Sequence, residues 1–286
     1  MKNIKIIFVL LIIGIWFTSC SSEENNQNKL SNEMTESYEL LAQELATYNA
    51  AFYESHNIPQ AKGFLKKLWN KIKGFVAADA TGAYIGGALL GPAGAIGGAV
   101  INSALAGSAI NESMNMASPS TNEFIVARPY QITSEKGIGY LHNLIISNIE
   151  KENPGIYNQS ISAEEMSKLV MNQMKAYNYP ISDEDMTQLV NKAKEVLPTT
   201  VIESTDELIQ HYKNLLPEYS TELNLLGDFI DYIEPIAHDP LLIKEYYNGY
   251  KETIYSSPFL RIEQVQRALL GIEVAASSAV LWNIQE

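Results

Sequence analysis

The sequence predicts a mainly α-helical fold: a helical bundle with a small-residue helical hairpin, preceded by an N-terminal signal peptide. Apolar residues recur at spacings of three and four along most of the chain, which is the period of an amphipathic helix. Several segments begin with a Ser followed three positions later by an acidic residue, a helix-start pattern. Residues 80–111 carry no charge, and 17 of these 32 residues are Gly or Ala. Such small residues suit helices whose backbones approach closely.

Composition limits the classes of protein that this chain can represent. With 286 residues and 46% hydrophobic content, the chain can build the core of one or two domains. A single Cys argues against a disulfide scaffold or a zinc module. A net charge of -13 argues against binding to nucleic acid, which needs a basic surface. We therefore expect no nucleic-acid partner. The sequence also lacks a calcium loop, a phosphate loop and His residues at ligand spacing, so we expect no metal and no cofactor.

Residues 1–19 are predicted to be a signal peptide. Lys2 and Lys5 precede an apolar run at 6–17, which is too short for a typical spanning helix. The run ends in Thr18-Ser19-Cys20, with small residues before the only Cys of the chain. An ordinary signal with an incidental Cys, or an uncleaved anchor, are the alternatives.

Residues 17–20 resemble a bacterial lipobox, although Phe17 stands where Leu is usual. The resemblance implies a lipoprotein signal peptide and a lipid-modified Cys20, which holds an exported chain to the outer membrane or cell surface. Residues 20–31 are predicted to be a polar tether. The acidic Glu23 and Glu24 resemble the surface-export signal of Bacteroidetes lipoproteins, and a solvated linker is the alternative interpretation.

Residues 32–58 are predicted to form an amphipathic helix. Its apolar stripe has spacings of four and three and suits packing on another helix, in the same chain or in a second copy; we favour the same chain. The stripe consists of Met34, Tyr38, Leu41, Leu45, Tyr48 and Phe52.

The domain predicted at 62–111 begins with a Lys-rich amphipathic helix. Five Lys and no acidic residue lie between 62 and 73, with Phe, Leu, Ile and Trp at helical spacing. Such helices bind membrane interfaces, which makes Lys66, Lys67, Trp69 and Lys71 the candidate contacts. The alternative is a surface helix of a bundle whose Lys side chains face the acidic C-terminal half.

The uncharged segment that follows predicts a helical hairpin with arms at about 77–90 and 93–110, joined at Gly91-Pro92. Small residues at every fourth position lie on one helix face and permit close packing. They are Ala83, Gly87, Gly91, Ala95, Ala99, Ser103 and Gly107. The segment resembles glycine-zipper hairpins of membrane-associated proteins and Gly-rich parts of some bacteriocins. It could insert in lipid, mediate self-association or pack inside the bundle.

Residues 112–133 are predicted to be a linker, and 134–286 an acidic helical domain. Residues 1–111 hold eight basic and eight acidic residues, so the remainder carries the whole net charge. The predicted N-caps are Ser162, Ser182, Ser204 and Asp239. The last helix, from about Phe259, has the continuous apolar character of a core helix, with Trp282 near its end.

Few residues point to chemistry. The acidic pairs that follow Ser162 and Ser182 are better explained as helix-start residues than as catalytic or metal-binding groups. His142 and Asn143 follow two glycines in Gly137-Ile-Gly139-Tyr-Leu-His142-Asn143, and we predict a packing role for His142 rather than catalysis. With the lipobox, the hairpin and the terminal Ala275–Trp282 stretch, this motif resembles a group of uncharacterised Bacteroidetes lipoproteins. That resemblance implies no activity.

These observations favour a lipid-anchored, non-enzymatic structural or interaction protein. Its partners would be the membrane, through the anchor, and a protein or a second copy of the chain, through the hairpin. The rival prediction is a membrane-active or self-assembling protein that acts through the basic helix and the hairpin.

Overall fold

A computed structural model describes residues 23–58, 64–113, 137–158, 161–200, 202 and 204–282. The side chains of 23–35, 64–68, 71, 107–113 and 158 are not described, although the backbone of these residues is helical. No strand occurs in the described ranges, and the predicted mainly α-helical bundle is confirmed. The signal peptide 1–19, Cys20 and nearly all of the linker 112–133 lie outside these ranges.

Nine helices account for most of the described residues. They are α1 Glu23–His56, α2 Phe64–Ser113, α3 Ile138–Glu152, α4 Ala163–Ala176, α5 Asp183–Val196, α6 Thr205–Leu215, α7 Ser220–Ile233, α8 Pro240–Ser256 and α9 Ile262–Leu281. α2 lies at the centre and packs against α3 to α7 and α9. The predicted domains 62–111 and 134–286 therefore share one hydrophobic core.

Helix α1 begins earlier than predicted, at Glu23, so most of the predicted tether 20–31 is helical. No Gly or Pro interrupts this stretch, and acidic residues near its start complement the helix dipole. The apolar stripe of α1 packs within the chain, as predicted: Leu41 and Leu45 are buried, and Tyr48 donates a hydrogen bond to the Tyr246 carbonyl oxygen at 2.8 Å. The partner helices are α8 and α7.

Helix α2 is a hairpin of two arms. The first arm, 64–90, joins the predicted Lys-rich helix to the first hairpin helix without a break. Gly91 has φ 64° and ψ -147°, a backbone conformation that reverses the chain and that Gly adopts without strain. The second arm begins at Pro92, where the missing N–H costs no helical hydrogen bond.

The two arms touch backbone to backbone. A Cβ atom on Gly82 would overlap the carbonyl oxygen of Gly98, and one on Gly86 would overlap that of Gly94. Farther from the turn, the Asn102 side-chain amide donates to the carbonyl oxygen of Ala78 at 2.8 Å. Only residues without a Cβ permit this separation, so the glycines determine how closely the arms pack.

Most of the hairpin is buried inside the bundle. The segment Ile72–Ala106 is long and apolar enough to cross a membrane, with a mean hydropathy of 1.5, but core helices satisfy the same criterion. Ile96, Val100 and Ile101 are each at most 1% exposed. Exposure is concentrated around the turn, where Leu89 is 48% exposed. The α2 arms thus form the centre of the hydrophobic core.

All four predicted N-caps are confirmed. Ser162 accepts a hydrogen bond from the backbone N–H of Glu165 and Ser182 one from that of Asp185, each at 3.1 Å. Ser204 accepts from Glu207 N–H at 3.3 Å. Asp239 accepts from the N–H groups of Leu241 and Leu242. These bonds satisfy N–H groups that have no partner within the helix, which explains why the helices begin where they do.

The last helix starts at Ile262, three residues after the predicted Phe259, and is a core helix as expected. Its residues from Val274 to Leu281 are all at most 2% exposed. α9 lies against both arms of α2 and against α3, which brings its C-terminal half to the centre of the molecule.

Candidate functional site

A cluster of polar side chains lies at the centre of the bundle. Asp79 comes from the first arm of α2, Ser103 from the second arm, His142 and Asn143 from α3, and Ser278 from α9. Each of these five residues is at most 1% exposed. Because uncompensated polar groups are costly in a core, their partners determine what the cluster can do.

Asp79 is the acceptor at the centre of the cluster. Its Oδ1 accepts a hydrogen bond from the Ser103 hydroxyl, and its Oδ2 accepts one from the Ser278 hydroxyl at 2.6 Å. Trp282 Nε1 lies 3.3 Å from Oδ2 and donates to it, while His142 Nε2 lies 3.2 Å from the same oxygen. Four groups from three other segments thus surround one carboxylate.

The hydrogen bonds of His142 indicate where its protons lie. Asn143 Nδ2 donates to the Ser277 carbonyl oxygen at 2.8 Å, which leaves Asn143 Oδ1 as an acceptor 2.9 Å from His142 Nδ1. Nδ1 therefore carries a proton. Nε2 faces Asp79 Oδ2, and a proton is also needed between these two atoms, because neither could otherwise donate. The pattern fits a hydrogen-bonded pair of His142 and Asp79 that shares this proton inside the core.

The cluster contains Ser, His and Asp but does not have the arrangement of a nucleophilic triad. In a triad, the hydroxyl and the carboxylate lie on opposite ring nitrogens. Here Ser103 Oγ, at 3.1 Å, and Asp79 Oδ2 both face Nε2, and the Ser103 hydroxyl donates to Asp79. The three side chains are 0% exposed, so a substrate has no path to them. The arrangement instead links both arms of α2 to α3 and α9.

Aromatic rings enclose this polar cluster. Trp282 stacks on Phe75 with ring centroids 4.6 Å apart, and Tyr157 contacts the Trp282 ring edge-on at 5.7 Å. Burial, and to a smaller extent the Asp79 carboxylate, raises the pKa of Tyr212. Burial is also the largest cause of the raised pKa of Tyr157. Both phenols therefore stay neutral and add no charge beside Asp79.

The motif around His142 also explains the contact between α3 and α9. A Cβ on Gly139 would lie 2.6 Å from the carbonyl oxygen of Glu273, so this Gly lets the start of α3 pack closely on α9. The Gly139 N–H donates to Glu273 Oε1 at 3.2 Å. Gly139 provides the close approach, and His142 and Asn143 provide the polar contacts one turn later.

The buried Glu273 is expected to make the stability of the protein depend on pH. Burial raises the pKa of this carboxyl above 4.5, partly offset by the Gly139 N–H and the Lys251 charge. A raised folded-state pKa means that stability is greatest below the unfolded value and falls as pH rises through the folded value. We expect Glu273→Gln to match the wild type in urea unfolding at pH 4 and to exceed its stability at pH 7. The exposed Glu263→Gln on the same helix is the control, and an equal gain there would contradict the prediction.

A second polar network joins α1, α7 and α9. Glu222 is 0% exposed, and its Oε1 lies 2.5 Å from Arg267 Nη2. The Tyr38 hydroxyl donates to the same oxygen at 3.0 Å, and the Thr221 hydroxyl donates to Oε2 at 3.0 Å. Burial is the largest cause of the raised pKa of Tyr38, followed by the Glu222 charge. The network neutralises a buried carboxylate and holds Arg267 in place.

The predicted small-residue row lies mostly at the contact between the hairpin and α9. Ala83, Ala95 and Ala99 pack with Val274 in a small cluster between the arms and α9. Gly87 faces Leu270, and Gly91 forms the turn. Ser103 belongs to the polar cluster, and Gly107 is helical with its surroundings not described. The closest contact between the arms uses a different set, which includes Gly82 and Gly86 of the first arm.

The candidate membrane contacts are only partly described. Trp69 is 1% exposed and belongs to the hydrophobic core, so the structure contradicts its prediction as a surface contact. The reason is that the apolar face of the first arm is covered by the bundle along this stretch. Lys66, Lys67 and Lys71 are helical, but their side chains lie outside the described residues, as does Cys20.

Sequence reasoning did not identify Asp79, Ser278, Trp282 or Glu222 as members of polar networks. Two features of the sequence do point to Asp79 and Glu222. Asp79 is the last charge before the 32 uncharged positions, and Glu222 falls on the apolar face of α7, in step with Leu226 and Phe229. A charge on an apolar helical face indicates a buried pair, because it needs a partner there.

No protein-family model, curated protein or solved structure matches this chain.

Proposed function

We propose that this chain is an exported, lipid-anchored, non-enzymatic protein with a structural or interaction role at the outer membrane or cell surface. The observation that carries the proposal is the use of the hairpin as the bundle's core. Its small-residue faces are occupied by each other and by α9, and its Asp79 and Ser103 side chains form a buried network with His142 of α3 and Ser278 of α9. A partner protein would therefore bind to the exposed surface of the helices.

Lipid attachment at Cys20 is tested in a bacterium that expresses the full chain with a radioactive or clickable fatty acid. We expect the wild type to be labelled and Cys20→Ala to lose all labelling, because this is the only Cys in the chain. Ser22→Ala is the matched control and should keep the label. Unchanged labelling of Cys20→Ala would refute the anchor.

A second candidate function is membrane activity of the hairpin. It is favoured by the length and hydropathy of Ile72–Ala106 and by the exposure of Leu89 at the turn. Insertion would require the hairpin to leave α3 and α9 and to carry Asp79 away from its four partners. An Asp at the centre of a membrane helix costs about 2.5 to 3.5 kcal/mol, so the folded state opposes this step. Self-association through the hairpin would require the same contacts to open.

Anionic vesicles that contain a self-quenched dye separate the two functions. We expect residues 21–286, which retain every described residue, to release no dye. Salt-sensitive binding and release, abolished by the Lys66→Glu, Lys67→Glu and Lys71→Glu triple variant, would favour membrane activity instead. Neutral vesicles are the control for charge-independent leakage.

A further inference from the structure

A cleft of about 560 Å³ opens beside the hairpin turn. Its floor and walls come from both arms of α2, the start of α3, the turn before α7, and α9. The apolar lining includes Gly87, Ala88, Pro92, Tyr219 and Leu270. This volume lies within the range of about 300 to 1,000 Å³ that is usual for small-molecule sites, which are mostly apolar with a few polar groups.

The cleft exists because the residues at the turn are small and its walls are fixed. Gly87 and Ala88 project little or no side chain into the space between the turn and α9. Tyr219 stacks on the buried Tyr84 with ring centroids 5.7 Å apart and an interplanar angle of 20°. Because the Tyr219 ring is held in this way, the cleft is preformed and a ligand need not order it.

The charges around the cleft determine which ligands it favours. Arg267 lies over the Tyr219 ring at 6.0 Å, but its Nη2 is 2.5 Å from the buried Glu222 carboxylate, which neutralises its charge. Among the described residues of the rim, the other charged groups are two exposed carboxylates, Glu218 and Glu263. The rim is therefore net negative, and it repels an anionic ligand.

We propose that this cleft is a binding site for a small apolar molecule that is uncharged or cationic. The apolar floor provides burial for an aromatic or alicyclic body of about two fused rings. The carboxylates of the rim tolerate a neutral polar end or attract an amine. Ligand binding in this cleft requires neither lipid attachment at Cys20 nor insertion of the hairpin in a membrane.

Two fluorescent dyes with the same aromatic body but different charge provide the test. N-phenylnaphthylamine is uncharged, and anilinonaphthalene sulfonate carries a negative charge. With residues 21–286, we expect saturable binding of the uncharged dye at one site and binding of the sulfonate at least about tenfold weaker, a difference of about 1.4 kcal/mol. Equal affinities, or no binding of the uncharged dye, would overturn the proposal.

Variants locate the binding at the cleft. Ala88→Trp places an indole in the cleft from an exposed position and should weaken binding of the uncharged dye by at least about tenfold. Leu89→Trp adds the same indole at the next residue, outside the cleft lining, and should leave binding unchanged. Retained binding in Ala88→Trp would refute the site.

A double variant tests whether the rim charges select the ligand. Glu218→Gln with Glu263→Gln removes two rim charges at exposed positions and should strengthen sulfonate binding several-fold, while affinity for the uncharged dye stays the same. A parallel change for both dyes would show that rim charge does not select the ligand. Thermal melting of each variant verifies that the fold is retained.

Discussion

Replacing Asp79 with Ala is expected to lower the free energy of unfolding by about 3 to 5 kcal/mol, because several buried donors lose their acceptor at once and each costs about 1 to 3 kcal/mol when left unpaired. The substitution leaves His142 Nε2 and Trp282 Nε1 without the carboxylate oxygen that both atoms face. It also leaves the hydroxyls of Ser103 and Ser278 without their acceptor in a site with no access to water. Urea unfolding followed by circular dichroism measures the loss.

Two further variants show whether this loss comes from the pair. His142→Ala alone should also destabilise, and the Asp79→Ala, His142→Ala double variant should cost less than the sum of the two, because neither side chain is then left without its partner. Asp231→Ala on the exposed face of α7 is the matched control and should change stability by at most about 0.5 kcal/mol. Additive losses of unfolding free energy, or an Asp79→Ala variant as stable as this control, would contradict the pairing of Asp79 with His142.

Replacing Gly86 with Ala is expected to destabilise the protein by about 3 kcal/mol or more, at or above the upper end for overpacked cores. The added Cβ would overlap the backbone carbonyl oxygen of Gly94 on the opposite arm. A backbone atom cannot rotate away as a side chain can, so the arms must separate. That separation would pull apart the contacts that both arms make with α9.

Gly97→Ala is the matched control for this substitution. It introduces the same Cβ into the second arm, but the nearest atom is the Cδ1 of Ile181, the flexible end of a side chain. The gain in helix propensity from Gly to Ala, about 1 kcal/mol, offsets the adjustment of that side chain. Thermal and urea unfolding of the two variants should therefore differ clearly. Equal stability would show that the arms are not in backbone contact.

Local signals predicted the local structure well. The N-caps at Ser162, Ser182 and Ser204 and the break at Gly91 depend on a few neighbouring residues, and the structure confirms them. The start of α1 was predicted too late, because a polar stretch without Gly or Pro looks the same whether it is a solvated helix or a tether. The Lys-rich pattern of the first arm is compatible both with a membrane surface and with a bundle helix, and the buried Trp69 belongs to the core of the bundle.

The sequence by itself determined that the chain is helical, where most helices begin and that a small-residue hairpin turns at Gly91, because these features depend on residues close together in the chain. Only the tertiary structure decided that the hairpin is the core of the bundle and that Asp79 lies 3.2 Å from His142, 63 positions later. It also decided which small residues serve which interface. Small residues and a lone carboxylate are compatible with several partners, and the choice depends on which distant helices pack against them.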